Sequence, residues 1–128
     1  MKYLMAALLL AAVAAPAFAS DDACLMRRYV DGWGARDEHS MIVNDRFGRK
    51  YLVKLAGVCG DLDFAFRAGF RSFGGPSMCI ERGDHVVMRG GGAFPHSTCW
   101  VTKVMRYTPD MEHADRAARA EHKPLDAY

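Results

Sequence analysis

Met41 to Leu55 reads MIVNDRFGRKYLVKL. Two runs rich in β-branched and aromatic residues flank a short segment containing Gly48, which is the pattern of a hairpin. In the second run Tyr51, Val53 and Leu55 alternate with Lys50, Leu52 and Lys54. Successive strand residues point to opposite faces, so one face of this hairpin is expected to be buried and the other basic.

Working outward, Tyr29 to Arg36 (YVDGWGAR) fits a first strand, with Gly32 and Gly34 weakening it or marking a bulge beside Trp33. After Cys59, the segment GDLDFAFRAGF changes period. Asp61 can cap a short helix with Leu62, Phe66, Gly69 and Phe70 on one face and Arg67 pointing out. Ser72 to Ser77 (SFGGPS) reads as a loop. Met78 to Ile80, a turn at Glu81 to Asp84 and His85 to Arg89 together suggest a second hairpin. Gly90 to Pro95 opens a flexible loop. Thr98 to Tyr107 is the longest strand candidate, with Cys99 and Val101 on one side and Trp100, Thr102 and Val104 on the other. Thr108-Pro109-Asp110 is a helix-start signature, but the following residues carry no apolar stripe. Residues 108–128 therefore read as a frayed, exposed helix or a disordered tail. The order of elements implies a mostly β fold, a small bent five-stranded barrel of OB type with one short internal helix. The alternative is an open α+β sheet.

The 128 residues leave room for one domain. Of the 65 hydrophobic residues behind the 51% total, 17 fall in Met1–Ala19, leaving 48 of the other 109, or 44%. Ile, Leu, Val and Phe number 21 of those 109, a lean supply for a self-sufficient core. The formal charge of +2 argues against strong steering of polyanions. That charge is unevenly placed: residues 20–107 carry 13 cations and 10 anions, whereas residues 108–128 carry three and five.

Met1 to Ala19 (MKYLMAALLLAAVAAPAFA) has one lysine, an apolar run from Leu4 to Ala15, Pro16, and small residues at 17 and 19. This is the pattern of a secretory signal peptide cleaved after Ala19, and the run is short for a membrane span. The expected location is periplasmic or secreted. In such an oxidising compartment four cysteines, Cys24, Cys59, Cys79 and Cys99, read as two disulfides. Three pairings are possible. Cys59–Cys79 with Cys24–Cys99 is favoured, since the first clips a local excursion and the second ties the N-terminus to the last strand. Each bridge is worth about 2–4 kcal/mol, a large supplement to a lean core.

Cys24, Asp31-Gly32-Trp33, Leu55-Ala56-Gly57-Val58-Cys59, Leu62, Phe66, Cys79, Gly83-Asp84 and Cys99 resemble a family of small exported bacterial proteins catalogued as a domain of unknown function. The similarity spans Cys24 to Arg106. Members commonly carry Gly-Pro-Cys where this chain has Gly57-Val58-Cys59. The resemblance implies a periplasmic, disulfide-tied domain and carries no catalytic residue.

No catalytic motif stands out. His85, His96 and the cysteines could form a metal set or a small active site, but close C-x₂-C spacing is lacking and oxidised cysteines do not ligate. Asp61 and Asp63 lack the further acids of a calcium loop. No serine lies in a nucleophile motif, and His96 sits three residues before Cys99, on the opposite face of a strand. Gly90-Gly91-Gly92 lacks the Gly-Lys-Ser/Thr of a phosphate loop, and Arg82-Gly83-Asp84 reads as a turn. Nothing implies a cofactor. Arg46, Arg49, Lys50 and Lys54 cluster on the first hairpin with Phe47 and Tyr51 interleaved, and Arg27 and Arg28 precede the first strand. On an OB-like barrel such a hairpin is a place for an extended anionic ligand. Export disfavours nucleic acid and favours an anionic envelope glycan or lipid head group. The expected function is a non-enzymatic envelope binding module. The alternatives are a metal protein or enzyme using His85, His96 and a cysteine, or a protein-partner or inhibitor module acting through loops 72–77 and 90–95.

Overall fold

Alternation builds a sheet here. The computed structural model describes residues 23–59, 62, 65–72, 74–75, 78–90 and 96–128, the side chains of Phe66 and His96 excepted. Among these residues are six strands, β1 (Val30–Asp37), β2 (Ser40–Asp45), β3 (Lys50–Leu55), β4 (Ala65–Arg71), β5 (His85–Gly90) and β6 (His96–Arg106), and one helix, α1 (Pro109–Ala120). They form one antiparallel sheet in the order β1-β2-β3-β6-β5-β4, curled into a nearly closed barrel.

Inside the barrel Met41 and Val43 of β2, Tyr51, Val53 and Leu55 of β3, Phe70 of β4, Val86 and Met88 of β5, and Val101 and Val104 of β6 form one buried cluster. The hairpin alternation is as expected: Tyr51, Val53 and Leu55 face in. Val101 and Val104 share the core although they lie three positions apart. A register shift where Lys54 and Leu55 meet Lys103 and Val101 absorbs the extra residue, so Val104 is not on the outer side with Trp100.

The edges of the sheet are β1 and β4, and the lead-in to β1 spans the gap between them. Met26 forms a bridge with Cys79, and Leu25 O accepts from Ile80 N at 2.7 Å. Arg27 Nη1 donates to Phe70 O of β4 at 3.3 Å. The second hairpin therefore does not form. Cys79 joins the lead-in to β1, while β5 lies between β4 and β6.

The same geometry corrects the disulfides. They are Cys24–Cys79, with Cα atoms 4.8 Å apart, and Cys59–Cys99, at 6.3 Å. The expected Cys59–Cys79 and Cys24–Cys99 bridges rested on Cys79 lying beside Cys59. Instead the Met26–Cys79 bridge brings Cys24 to Cys79. Cys59 follows β3, and β3 pairs with the strand that carries Cys99.

The expected internal helix is also replaced. Residues 65–71 are a strand in which Ala68 and Phe70 pack on the core while Arg67, Gly69 and Arg71 point out. Positions four apart share a face in a strand as well as in a helix, so the spacing of residues 62, 66 and 70 could not separate the two. Asp61 and Asp63, the signal-peptide segment and its cleavage site, and Gly91 to Pro95 lie outside the described residues.

The tail docks as an ordered helix. Thr108 Oγ1 accepts from Met111 N at 3.2 Å, and Pro109 opens the first turn. In place of an apolar stripe α1 carries one buried acid. Asp115, 1% exposed, receives Arg36 Nε at 2.6 Å, Arg36 Nη2 at 2.8 Å and the Tyr107 hydroxyl at 2.7 Å. Met111 and Tyr128 pack on a smaller outer cluster of Leu52, Met105 and Tyr107. Burial works to raise the Asp115 pKa, but the bonds from Arg36 and Tyr107 outweigh it and hold the carboxyl below its ordinary value.

A group with a depressed folded pKa stabilises above its unfolded value and loses that contribution as pH falls through the folded one. Asp115→Ala removes the closest carboxylate from the buried Arg36 guanidinium, leaving Asp37 at 3.3 Å as its remaining acid, and should cost about 3 kcal/mol in urea unfolding near neutral pH. The deficit should shrink as the wild type is acidified through the carboxylate range; a constant deficit would contradict the assignment.

Candidate functional site

The β2–β3 turn is organised by one carboxylate. Asp45, 3% exposed, accepts from Phe47 N and Arg49 N at 2.9 Å through Oδ1, and from Arg49 Nε at 2.6 Å through Oδ2. Tyr51 OH approaches the same Oδ2 at 3.4 Å. Gly48 completes the turn at φ +80°, where a side chain would be strained. Burial works to raise the Asp45 pKa, but the hydrogen bonds from Arg49 and Phe47 prevail and hold it below the ordinary value.

Pinned in this way, the turn projects Phe47 into solvent, 61% exposed. Its ring meets Tyr29 edge-on with centroids 5.1 Å apart. Tyr29 is held against the turn by a hydrogen bond from Arg46 N to Tyr29 O at 2.8 Å. Three guanidiniums surround the aromatic pair: Arg28 and Arg46 lie 4.7 Å and 6.0 Å from the Tyr29 ring, and Arg49 lies 5.1 Å from that of Phe47.

The expected six-residue patch is therefore divided. Arg46, Phe47 and Arg49 come together at the tip. Lys50 instead pairs with Glu112 of α1 at 2.9 Å, and Lys54 Nζ contacts the main-chain oxygen of Tyr128. The hydrogen bond from Lys50 lowers the Glu112 pKa. Tyr51 is 1% exposed, so its ring belongs to the core and not to a binding surface. The strand period that buries Tyr51 turns the two lysines toward α1, which docks on the sheet and does not lie free in solvent. Arg28 and Tyr29 join the site in their stead. Arg28 was visible as a cation ahead of β1, whereas Tyr29 read as part of the strand.

The same turn borders a groove of about 430 Å³ shared with the start of α1, lined by Arg49, Lys50 and Arg106 on one side and Pro109 and Glu112 on the other. The surface can therefore offer cationic hydrogen-bond donors beside an exposed aromatic edge.

The residues expected of a metal site or active site are placed differently. All four cysteine sulfurs are in disulfides. Among the described residues, no three His, Cys, Asp or Glu side chains are grouped to hold a metal. The His85 ring lies against Trp100 with centroids 3.8 Å apart and the planes tilted by 51°. The side chain of His96, and most of the Gly90–Pro95 loop with Phe73, Pro76 and Ser77 of the other, lie outside the described residues.

Comparison with known proteins shows the family alone. The chain belongs to the family of unknown function DUF6491, whose model matches residues 1–123. No curated protein and no solved structure matches it.

Because the Asp45 carboxylate accepts from Phe47 N, Arg49 N and Arg49 Nε, Asp45→Asn should loosen the turn. Heteronuclear relaxation is expected to show faster motion of the Phe47 and Arg49 amides, with a lower melting temperature. Acidification through the depressed Asp45 pKa should loosen the wild-type turn in the same way, and a turn equally rigid in both proteins would refute the pin.

Proposed function

We propose that this DUF6491 protein is an exported binding domain of the bacterial envelope that docks on anionic lipid head groups through the tip of its β2–β3 hairpin. The observation that carries this reading is Phe47, exposed at the apex and flanked by Arg46 and Arg49. Apolar side chains ringed by cations suit the boundary between head groups and acyl chains, where the ring enters and the guanidiniums meet phosphates. Tyr29, behind Phe47, supplies a rigid backing. Export is supported by the leader-like composition of Met1–Ala19 and by two disulfides, which persist in oxidising compartments. An anionic glycan would meet the same cations, but it would draw less from an apolar apex.

The test is co-sedimentation with phosphatidylcholine vesicles with and without phosphatidylglycerol. Binding should require the anionic lipid and fall with salt. A cation at an anionic surface is worth about 1 kcal/mol, so Arg46→Glu, which also adds a repelled charge, should weaken binding by about 30-fold. Phe47→Ala should weaken it further while leaving the melting temperature unchanged. Arg46 and Phe47 are chosen because Arg49 and Lys50 hold structural ion pairs. Equal binding by wild type and the double variant would defeat the proposal.

A further inference from the structure

On the other half of the barrel, the outer face of β4 and β5 carries a second basic surface. Phe70, Val86 and Met88 face the core, which turns Arg67, Gly69 and Arg71 of β4 outward, together with Val87 and Arg89 of β5. The register sets Arg67 opposite Arg89 and Gly69 opposite Val87. Arg27 reaches over from the lead-in to β1, its Nη1 held on Phe70 O at 3.3 Å. The four arginines border an open groove of about 420 Å³ that Gly69 and Val87 also line, and none of the described residues lining it is acidic.

Two features of this face work against the sheet. Like charges directly opposite each other destabilise an antiparallel pair, and among the described residues neither Arg67 nor Arg89 has an ion-pair partner to offset this. Gly69 weakens a strand interior, where any β-branched residue would serve the ladder better. Crowding does not explain the glycine, because a Cβ at position 69 would meet no atom within 4 Å. Both choices keep an open, cationic hollow, and glycine in a strand also marks places where a ligand approaches the backbone closely.

We propose that this groove binds a phosphate-bearing anion. A guanidinium donates a planar fork of N–H bonds that fits phosphate oxygens in pairs, and an anion between Arg67 and Arg89 converts their repulsion into a clamp. Gly69 lets the phosphate settle against the sheet, and Val87 gives an organic substituent an apolar floor. The volume falls within the range of about 300–1,000 Å³ typical of small-ligand sites. The groove shares no residue with the Phe47 tip, so the proposal stands apart from the lipid-docking reading.

The test is the melting temperature of the full disulfide-bonded protein in sodium pyrophosphate against sodium chloride of equal ionic strength. Pyrophosphate should raise the wild-type midpoint beyond chloride. The rise should vanish in the Arg67→Gln, Arg89→Gln double variant. It should vanish as well in Gly69→Thr, which alters no charge and fills the floor with a strand-forming residue. Arg46→Glu with Phe47→Ala should keep the full response, which separates this groove from the hairpin tip. In that Arg46→Glu, Phe47→Ala background, phosphatidate vesicles distinguish a lipid-borne phosphate from a soluble ester: binding that needs Arg67 and Arg89 assigns the lipid. A wild type that responds to neither probe, or a response undiminished in both groove variants, overturns the proposal.

Discussion

The Cys24–Cys79 bond is the constraint on which the surfaces of this protein depend. It fastens the lead-in to β1 against Cys79 and Ile80, closing the sheet where β1 and β4 would otherwise be free edges. The fastened segment carries Arg27 onto β4 and continues into Tyr29, which the β1–β2 register sets beside the β2–β3 turn, so the groove and the aromatic tip both border one short segment. The bond encloses a separation of 55 residues, for which the chain-entropy model gives about 4 kcal/mol of stabilisation. For a domain whose total stability is about 5–15 kcal/mol, that is a principal contribution. Cys59–Cys99 works differently, joining the segment after β3 to β6 beside the core, where β3 and β6 are already paired.

Buried carboxylates then decide which cations are available. Asp45 organises the turn and takes Arg49 as a partner, while Asp115 takes Arg36 and draws α1 onto the outer face of the sheet. Once α1 is docked, Lys50 and Lys54 are engaged along it. The basic hairpin is thus reduced to its apex, where Arg46 and Phe47 remain turned to solvent. A formal charge of +2 conceals this sorting, because acids spend themselves on structural pairs and leave arginines concentrated at the tip and on β4–β5.

Local chemistry in the sequence was sufficient for the hairpin, the last strand, the turn at Glu81–Asp84 and the start of α1, since each is set by neighbours within a few residues. Pairings between distant segments were not legible. Four cysteines imply two bonds without naming partners, and only the Met26–Cys79 bridge reveals why Cys24 meets Cys79. Residues 62, 66 and 70 share a face in helix and strand alike, so β4 was hidden until Arg67, Gly69 and Arg71 were seen opposite β5. The helix lacked an apolar stripe because its anchor is a single charge, and Asp115 resembles any solvated acid until Arg36, 79 residues away, is placed beside it. Half of the candidate site was visible as Arg46, Phe47 and Arg49; Tyr29 was not, because its place beside the turn depends on the register that pairs Val30 of β1 with Asp45.

Native-state hydrogen exchange on the Cys24→Ser, Cys79→Ser protein tests that closure most directly. The amides of Tyr29, Arg46 and Ile80 are bonded to Met26, Tyr29 and Leu25 respectively, all within the fastened segment and its contacts. Loss of the bond should strip protection from these three first while the β2–β3–β6 ladder keeps its own. Undiminished protection at Arg46, or uniform loss across the whole sheet, would contradict the view that this crosslink sets the functional surfaces.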